Sequence, residues 1–166
     1  MTKSEEEIWQ ILEKISDPEI PVLSIIDLGI IRSVTVNDNT LDGISEVLIH
    51  YTPTYSACPA VDMINAEIGV SLHAAGFKNL HLKQKLFPAW TTDWMSEAGK
   101  EKLIQYGIAA PIGRSCDNGK LEELKIVCPQ CGSNQTILIS EFSSTACKAL
   151  YKCSSCLEPF DYFKCH

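Results

Sequence analysis

Residues 128–156 open on Cys128-Pro129-Gln130-Cys131-Gly132-Ser133 and close on Cys153-Ser154-Ser155-Cys156, two CxxC pairs with 21 residues between them. Each pair presents two thiolates from one tight turn. Two such turns close a tetrahedral S₄ shell around zinc at about 2.3 Å per Zn–S bond. Gly132 suits the first turn, which needs a residue without Cβ strain after its second ligand. The spacing therefore predicts a small zinc ribbon. Iron on the same four sulfurs, or a redox pair, fits it as well. Cys147, Cys165 and the terminal His166 are left over. Either Cys147 packs as a small apolar residue while Cys165-His166 frays, or the three build a second metal or redox site.

Outward from this cluster the cysteines thin sharply. Of 8 in the chain, only Cys58 and Cys116 precede residue 121. In a reducing compartment such crowding reads as metal binding before disulfides. The 166 residues are 45% hydrophobic and 21% charged, the composition of a globular chain with a real core. A formal net charge of -7 supplies no positive field for phosphate, so nucleic acid is not an expected partner. No apolar run reaches the ~18 residues of a membrane helix, and Met1–Glu7 lacks the pattern of an export signal. Membranes are therefore not expected partners, and the expected compartment is the cytoplasm.

Upstream, Ser4 and Glu7 make a capping box before Ile8, Ile11, Leu12 and Ile15, which fall on one helical face. Asp17-Pro18-Glu19-Ile20-Pro21 stops that helix. Ile30–Val36 and Val47–Tyr51 read as an antiparallel pair around the turn residues of 37–43. Pro59 opens a second helix with Val61, Ile64, Ile68 and Leu72 on its buried stripe, and Leu80–Leu86 alternates as a third strand. A third helix falls between Asp93 and Tyr106, ended by Gly107, with Trp90 and Trp94 as its packing anchors. The fold class expected is α+β: a two-layer helix/sheet domain over 1–110, a linker over 111–120, and a zinc-ribbon-like domain over 121–166.

Cys58 lies where a strand gives way to the second helix, preceded by the hydroxyls of Thr52, Thr54 and Ser56. A helix N-terminus favours thiolate, so a lowered pKa and partial exposure are expected. Such a thiolate can hold a metal, carry an iron–sulfur fragment or act as a nucleophile. A buried structural cysteine fits the residues equally well. Asp17 and Glu19 can cap the turn around Pro18 or bind. His50, His73 and His81 read as ordinary strand or surface residues. No Ser/His/Asp set, HExxH motif or pair of Glu-x-x-His motifs accompanies Cys58, so hydrolysis and di-iron oxygenation have no residues to stand on.

Asp17-Pro18-Glu19-Ile20-Pro21, Asp27-Leu28-Gly29, Thr52-Pro53-Thr54 and Cys58-Pro59 together resemble the iron–sulfur assembly family that includes SufT-like proteins. Downstream, Pro88–Trp94, Tyr106–Ala109, the 128–133 knuckle, Ser144–Leu150 and Pro159–His166 resemble the PaaD family. Those proteins are the D components of the aerobic phenylacetyl-CoA epoxidase system of phenylacetate catabolism. Ala109-Ala110-Pro111 departs from that pattern in the linker. The resemblance implies an accessory component of a multicomponent oxygenase, not a catalyst on its own. Cys58 then matches the family's reactive cysteine, holding iron or a transient iron–sulfur cluster, and Asp17 and Glu19 match its acidic loop. The implied partners are the epoxidase components, foremost the iron–sulfur flavin reductase. A non-catalytic docking subunit and a small electron-transfer protein with an iron S₄ site are the competing roles.

Overall fold

The structure is a computed structural model that describes residues 5–37, 45–55, 58–112, 121 and 124–164. It divides into two compact units at Trp90/Thr91.

In the first unit, α1 (Glu5–Leu12) is followed by β1 (Ile31–Asn37), β2 (Glu46–Tyr51), α2 (Ala60–Ala74) and β3 (Asn79–Gln84). The sheet runs β1-β2-β3, antiparallel between β1 and β2 and parallel between β2 and β3. A parallel neighbour requires a crossover, and α2 supplies it. Val47, Ile49 and Tyr51 are buried at period two along β2, and Ile64, Ile68 and Leu72 at period four along α2. The loop from 13 to 30 also carries core, through Ile15, Ile20, Leu23, Ile25 and Leu28. It is pinned by Asp17 N–H on the Leu23 carbonyl (2.8 Å) and Ile25 N–H on the Ile15 carbonyl (3.0 Å). The α1 face therefore ends at Leu12, and Ile15 is buried from the loop. The Ser4 capping box and the turn residues 38–43 lie outside the described residues.

The second unit begins with a 3₁₀ turn (Thr92–Trp94) and α3 (Glu97–Tyr106), whose Ser96 hydroxyl accepts the Gly99 N–H at 2.8 Å. Gly107 stops α3 at φ +92°, where a side chain is strained, and a Cβ there would stand 3.0 Å from Gln130 Nε2. β4 (Ile108–Ala109), β5 (Thr136–Ser140), β6 (Lys148–Cys153) and β7 (Pro159–Phe163) form a sheet in the order β4-β7-β6-β5.

Ile108 and Ala109 pair with Asp161 and Tyr162 of β7 and so belong to the second compact unit. Most of the expected linker, residues 113–120, lies outside the described residues. Trp90 is buried in the first unit, where its indole N–H donates to the Leu28 carbonyl at 2.8 Å. The second unit has its own buried core. Tyr151 meets Phe160 in a stacked contact (6.0 Å) and Tyr162 edge-on (5.8 Å), in one buried cluster with Ile126, Ala109 and Ala149.

We propose that residues 1–90 fold alone, because their buried stripes close among themselves. That fragment is expected to melt cooperatively by circular dichroism; a non-cooperative, coil-like spectrum would refute the division.

Candidate functional site

The turns at 128–131 and 153–156 bring four sulfurs within 4.8 Å of one another. Cys128 Sγ stands 3.7 Å from Cys156 Sγ, and Cys131 Sγ 3.6 Å from Cys153 Sγ. A tetrahedron with Zn–S bonds of about 2.3 Å has edges of about 3.8 Å, so the spacing fits a divalent ion on thiolates. Each turn is held by backbone. Gly132 N–H reaches the Cys128 carbonyl (2.9 Å) with Gly132 at φ +73°, and Cys128 N–H reaches the Ser133 carbonyl (2.8 Å). Cys128 and Cys153 are buried, Cys156 is half-buried and Cys131 is exposed.

The electrostatics also call for a cation. The N–H groups of Cys156 and Ser155 draw the Cys153 thiol down to about 6 against its burial. At Cys156 the Glu158 N–H pulls the same way, but burial and the neighbouring sulfurs prevail and push it up to about 12. Cys131 is also raised: the Ser133 N–H pulls it down, but the Cys153 sulfur and burial outweigh that pull. Without a dication the raised Cys131 and Cys156 thiols keep their protons, and metal binding would release them.

Cys58 and Asp17 line one narrow recess of the first unit, with a cavity of about 10 Å³ and Tyr51, Pro53 and Thr54 on its walls. Cys58 is half-buried just ahead of α2, in a turn closed by its N–H on the Tyr55 carbonyl at 3.2 Å. Asp17 is buried, and its Oδ1 accepts the N–H groups of Glu19 and Ile20, each at 2.8 Å. That Asx-type turn fixes the acidic loop beside the thiol. Asp17, Glu19 and Cys58 do not form a three-ligand cluster, since the four ribbon cysteines are the metal-competent group among the described residues.

The thiol departs from expectation in one respect. Burial raises the Cys58 pKa, and the Glu19 and Asp17 carboxylates add to the rise. The Ala60 N–H and the Tyr55 hydroxyl oppose it without reversing it. The helix N-terminus is present, but desolvation and two negative charges outweigh it.

The comparisons with known proteins agree with both units. A model of the PaaD zinc beta ribbon domain matches residues 114–164, and one of an iron–sulfur cluster assembly protein matches residues 5–75. An Escherichia coli K12 protein, described as the putative D component of 1,2-phenylacetyl-CoA epoxidase, is 50% identical over 159 residues. The match covers 96% of this chain and 92% of that protein. This chain belongs to the PaaD family. A Porphyromonas gingivalis W83 protein described as an Fe-S protein maturation auxiliary factor is 34% identical over 106 residues, covering 63% of this chain and 92% of its own. A Bacillus anthracis crystal structure of the domain of unknown function DUF59 superposes with a TM-score of 0.53 at 25% identity. It covers 60% of this chain and 90% of that one.

Other residues of this PaaD family member fall into place around the two sites. Cys147 is buried outside the S₄ cluster, its sulfur 3.0 Å from Thr145 Oγ1, and Cys165 and His166 lie outside the described residues. His50 bonds Ser33 (3.0 Å), His81 meets Glu46 (3.1 Å) and His73 reaches the Gly69 carbonyl (2.6 Å), and none of them joins the four-sulfur group. No pattern in the sequence singles out Tyr55; only the fold brings its hydroxyl to the thiol. Among the described residues no helix is long and apolar enough to cross a membrane.

Asp17→Asn keeps the Oδ1 acceptor and removes a negative charge that raises the Cys58 pKa. The pH midpoint for alkylation of Cys58 by iodoacetamide should therefore move down, with the melting temperature little changed. An upward or unmoved midpoint would contradict this arrangement.

Proposed function

We propose that this chain is an accessory component of the phenylacetyl-CoA epoxidase system of phenylacetate catabolism, acting in the cytoplasm. It assists assembly or delivery of iron–sulfur clusters, with the iron–sulfur flavin reductase as client. Cys58 is the working residue, Asp17 and Glu19 are its flanking carboxylates, and zinc on Cys128, Cys131, Cys153 and Cys156 is a structural staple.

The observation that carries this reading is Cys58 itself. One half-buried thiol stands beside acidic groups in a narrow recess, within the segment that matches the iron–sulfur assembly model. A single thiol cannot close a coordination shell. It is suited to hold iron jointly with ligands of a partner, giving up its proton as the S–Fe bond forms and handing the metal on by ligand exchange. The relation to a protein described as an epoxidase component points to the system served, and the relation to a maturation factor points to the kind of service.

Cys58→Ala in cells growing on phenylacetate provides the test. The variant should keep the wild-type fold and ribbon metal content, while iron and sulfide per reductase fall several-fold and epoxidation falls with them. Normal cluster loading and normal epoxidation would make Cys58 a packing residue and favour a docking subunit. Elemental analysis of the purified chain separates a colourless zinc protein from a coloured iron one.

A further inference from the structure

The two cysteine turns are tied to each other by a ring of polar groups outside the sulfur cluster. Ser133 Oγ lies 2.8 Å from Ser155 Oγ, Gln135 N–H donates to Ser133 Oγ at 3.1 Å, and Ser155 Oγ reaches Gln135 Oε1 at 3.5 Å. With Gln135 Oε1 as the acceptor the three contacts run one way: Gln135 N–H to Ser133, the Ser133 hydroxyl to Ser155, and the Ser155 hydroxyl to the Gln135 side-chain amide oxygen. Ser154 N–H on the Gln135 backbone carbonyl (2.8 Å) runs alongside the ring.

Its members are placed to act on the metal. Ser155 lies between the ligands Cys153 and Cys156, and its N–H points at Cys153 Sγ at 3.4 Å. Ser133 is two residues beyond Cys131 and its carbonyl closes the first turn. Cys128 and Cys153 are buried while Cys131, Ser155 and Gln135 are exposed, so a competing chelator reaches the metal from the side where the ring sits.

We propose that Ser133, Gln135 and Ser155 form a latch that holds the two turns closed and slows release of the metal past Cys131. They are positioning residues, acting through the cysteines. The proposal rests on the reading of the four cysteines as a metal site.

The full chain is loaded with Co²⁺ to record its thiolate charge-transfer and d–d bands. It is then loaded with Zn²⁺, and release is timed with the chromogenic chelator 4-(2-pyridylazo)resorcinol. Ser133→Ala and Ser155→Ala should keep the tetrahedral Co²⁺ spectrum and release zinc about three- to tenfold faster, the factor expected for one hydrogen bond. The double variant should be faster than either single one but by less than the product of their effects, because the two share the Ser133–Ser155 bond. Ser155→Thr, which retains the hydroxyl, should restore slow release, and Ser154→Ala should match the wild type. Wild-type release from both alanine variants, or fast release from Ser155→Thr, would overturn the latch. A wild-type chain without a tetrahedral thiolate spectrum would overturn the metal reading and the latch with it.

Discussion

Cys153→Ser should empty the ribbon of metal and unfold the second unit, while the first unit keeps its own melting transition. Cys153 is fully buried, belongs to the ribbon core, and stands 3.6 Å from Cys131 across the site. A serine hydroxyl does not ionise to replace a thiolate, so three ligands remain and a polar group is left inside the core. Structural zinc contributes about 10–16 kcal/mol to small finger peptides at neutral pH, more than the total stability of most units of this size. Metal per chain should fall from about one to near zero, and the near-ultraviolet signal of the ribbon tyrosines should disappear. Full metal retention would refute the ligand set and direct attention to Cys147 or Cys165. Cys147 is poorly placed for that role, since its sulfur faces Thr145 and lies outside the cluster.

How much of this was legible in the sequence depends on how local each signal is. The S₄ site is written in two four-residue turns, and spacing alone was enough to assemble it. β2 and α2 were legible because their buried residues repeat at 2.0 and near 3.6 positions. A two-residue strand such as β4 has no period to read. Its assignment to the ribbon depends on Ile108 and Ala109 pairing with β7, some fifty residues later. β7 itself was hidden, because Pro159-Phe160-Asp161-Tyr162-Phe163 mixes a helix breaker, a charge and three aromatics. The charge is accommodated by Lys148, buried on β6 with its ammonium 3.2 Å from Asp161, and by the Ser143 hydroxyl. At Cys58 the sequence showed the helix start and the acidic loop separately. The sign of the pKa shift follows from their meeting in one recess, which is a tertiary fact.

Tyr162→Ala should weaken metal binding by about two to four orders of magnitude without touching a ligand. Tyr162 is fully buried, lies opposite Ala149 on β6 and Ala109 on β4, and takes the Ile112 N–H on its hydroxyl at 3.4 Å. Two alanines beside one large ring leave little that could collapse into the space, so truncation costs about 3–5 kcal/mol, near the upper part of the range for core substitutions. The long contact to Ile112 contributes little by itself. The metal-free ribbon is expected to be unfolded, so metal binding and folding are one event and every loss in the aromatic core appears as weaker apparent affinity. Competition of the chain with a chelator of known zinc affinity measures this directly, and circular dichroism before and after metal removal reports the coupled folding. Tyr162→Ala with wild-type metal affinity would mean that the metal-free unit is already folded on its aromatic core. The four cysteines would then decorate a stable sheet instead of creating it, and the loss expected for Cys153→Ser would have to come from the buried serine alone.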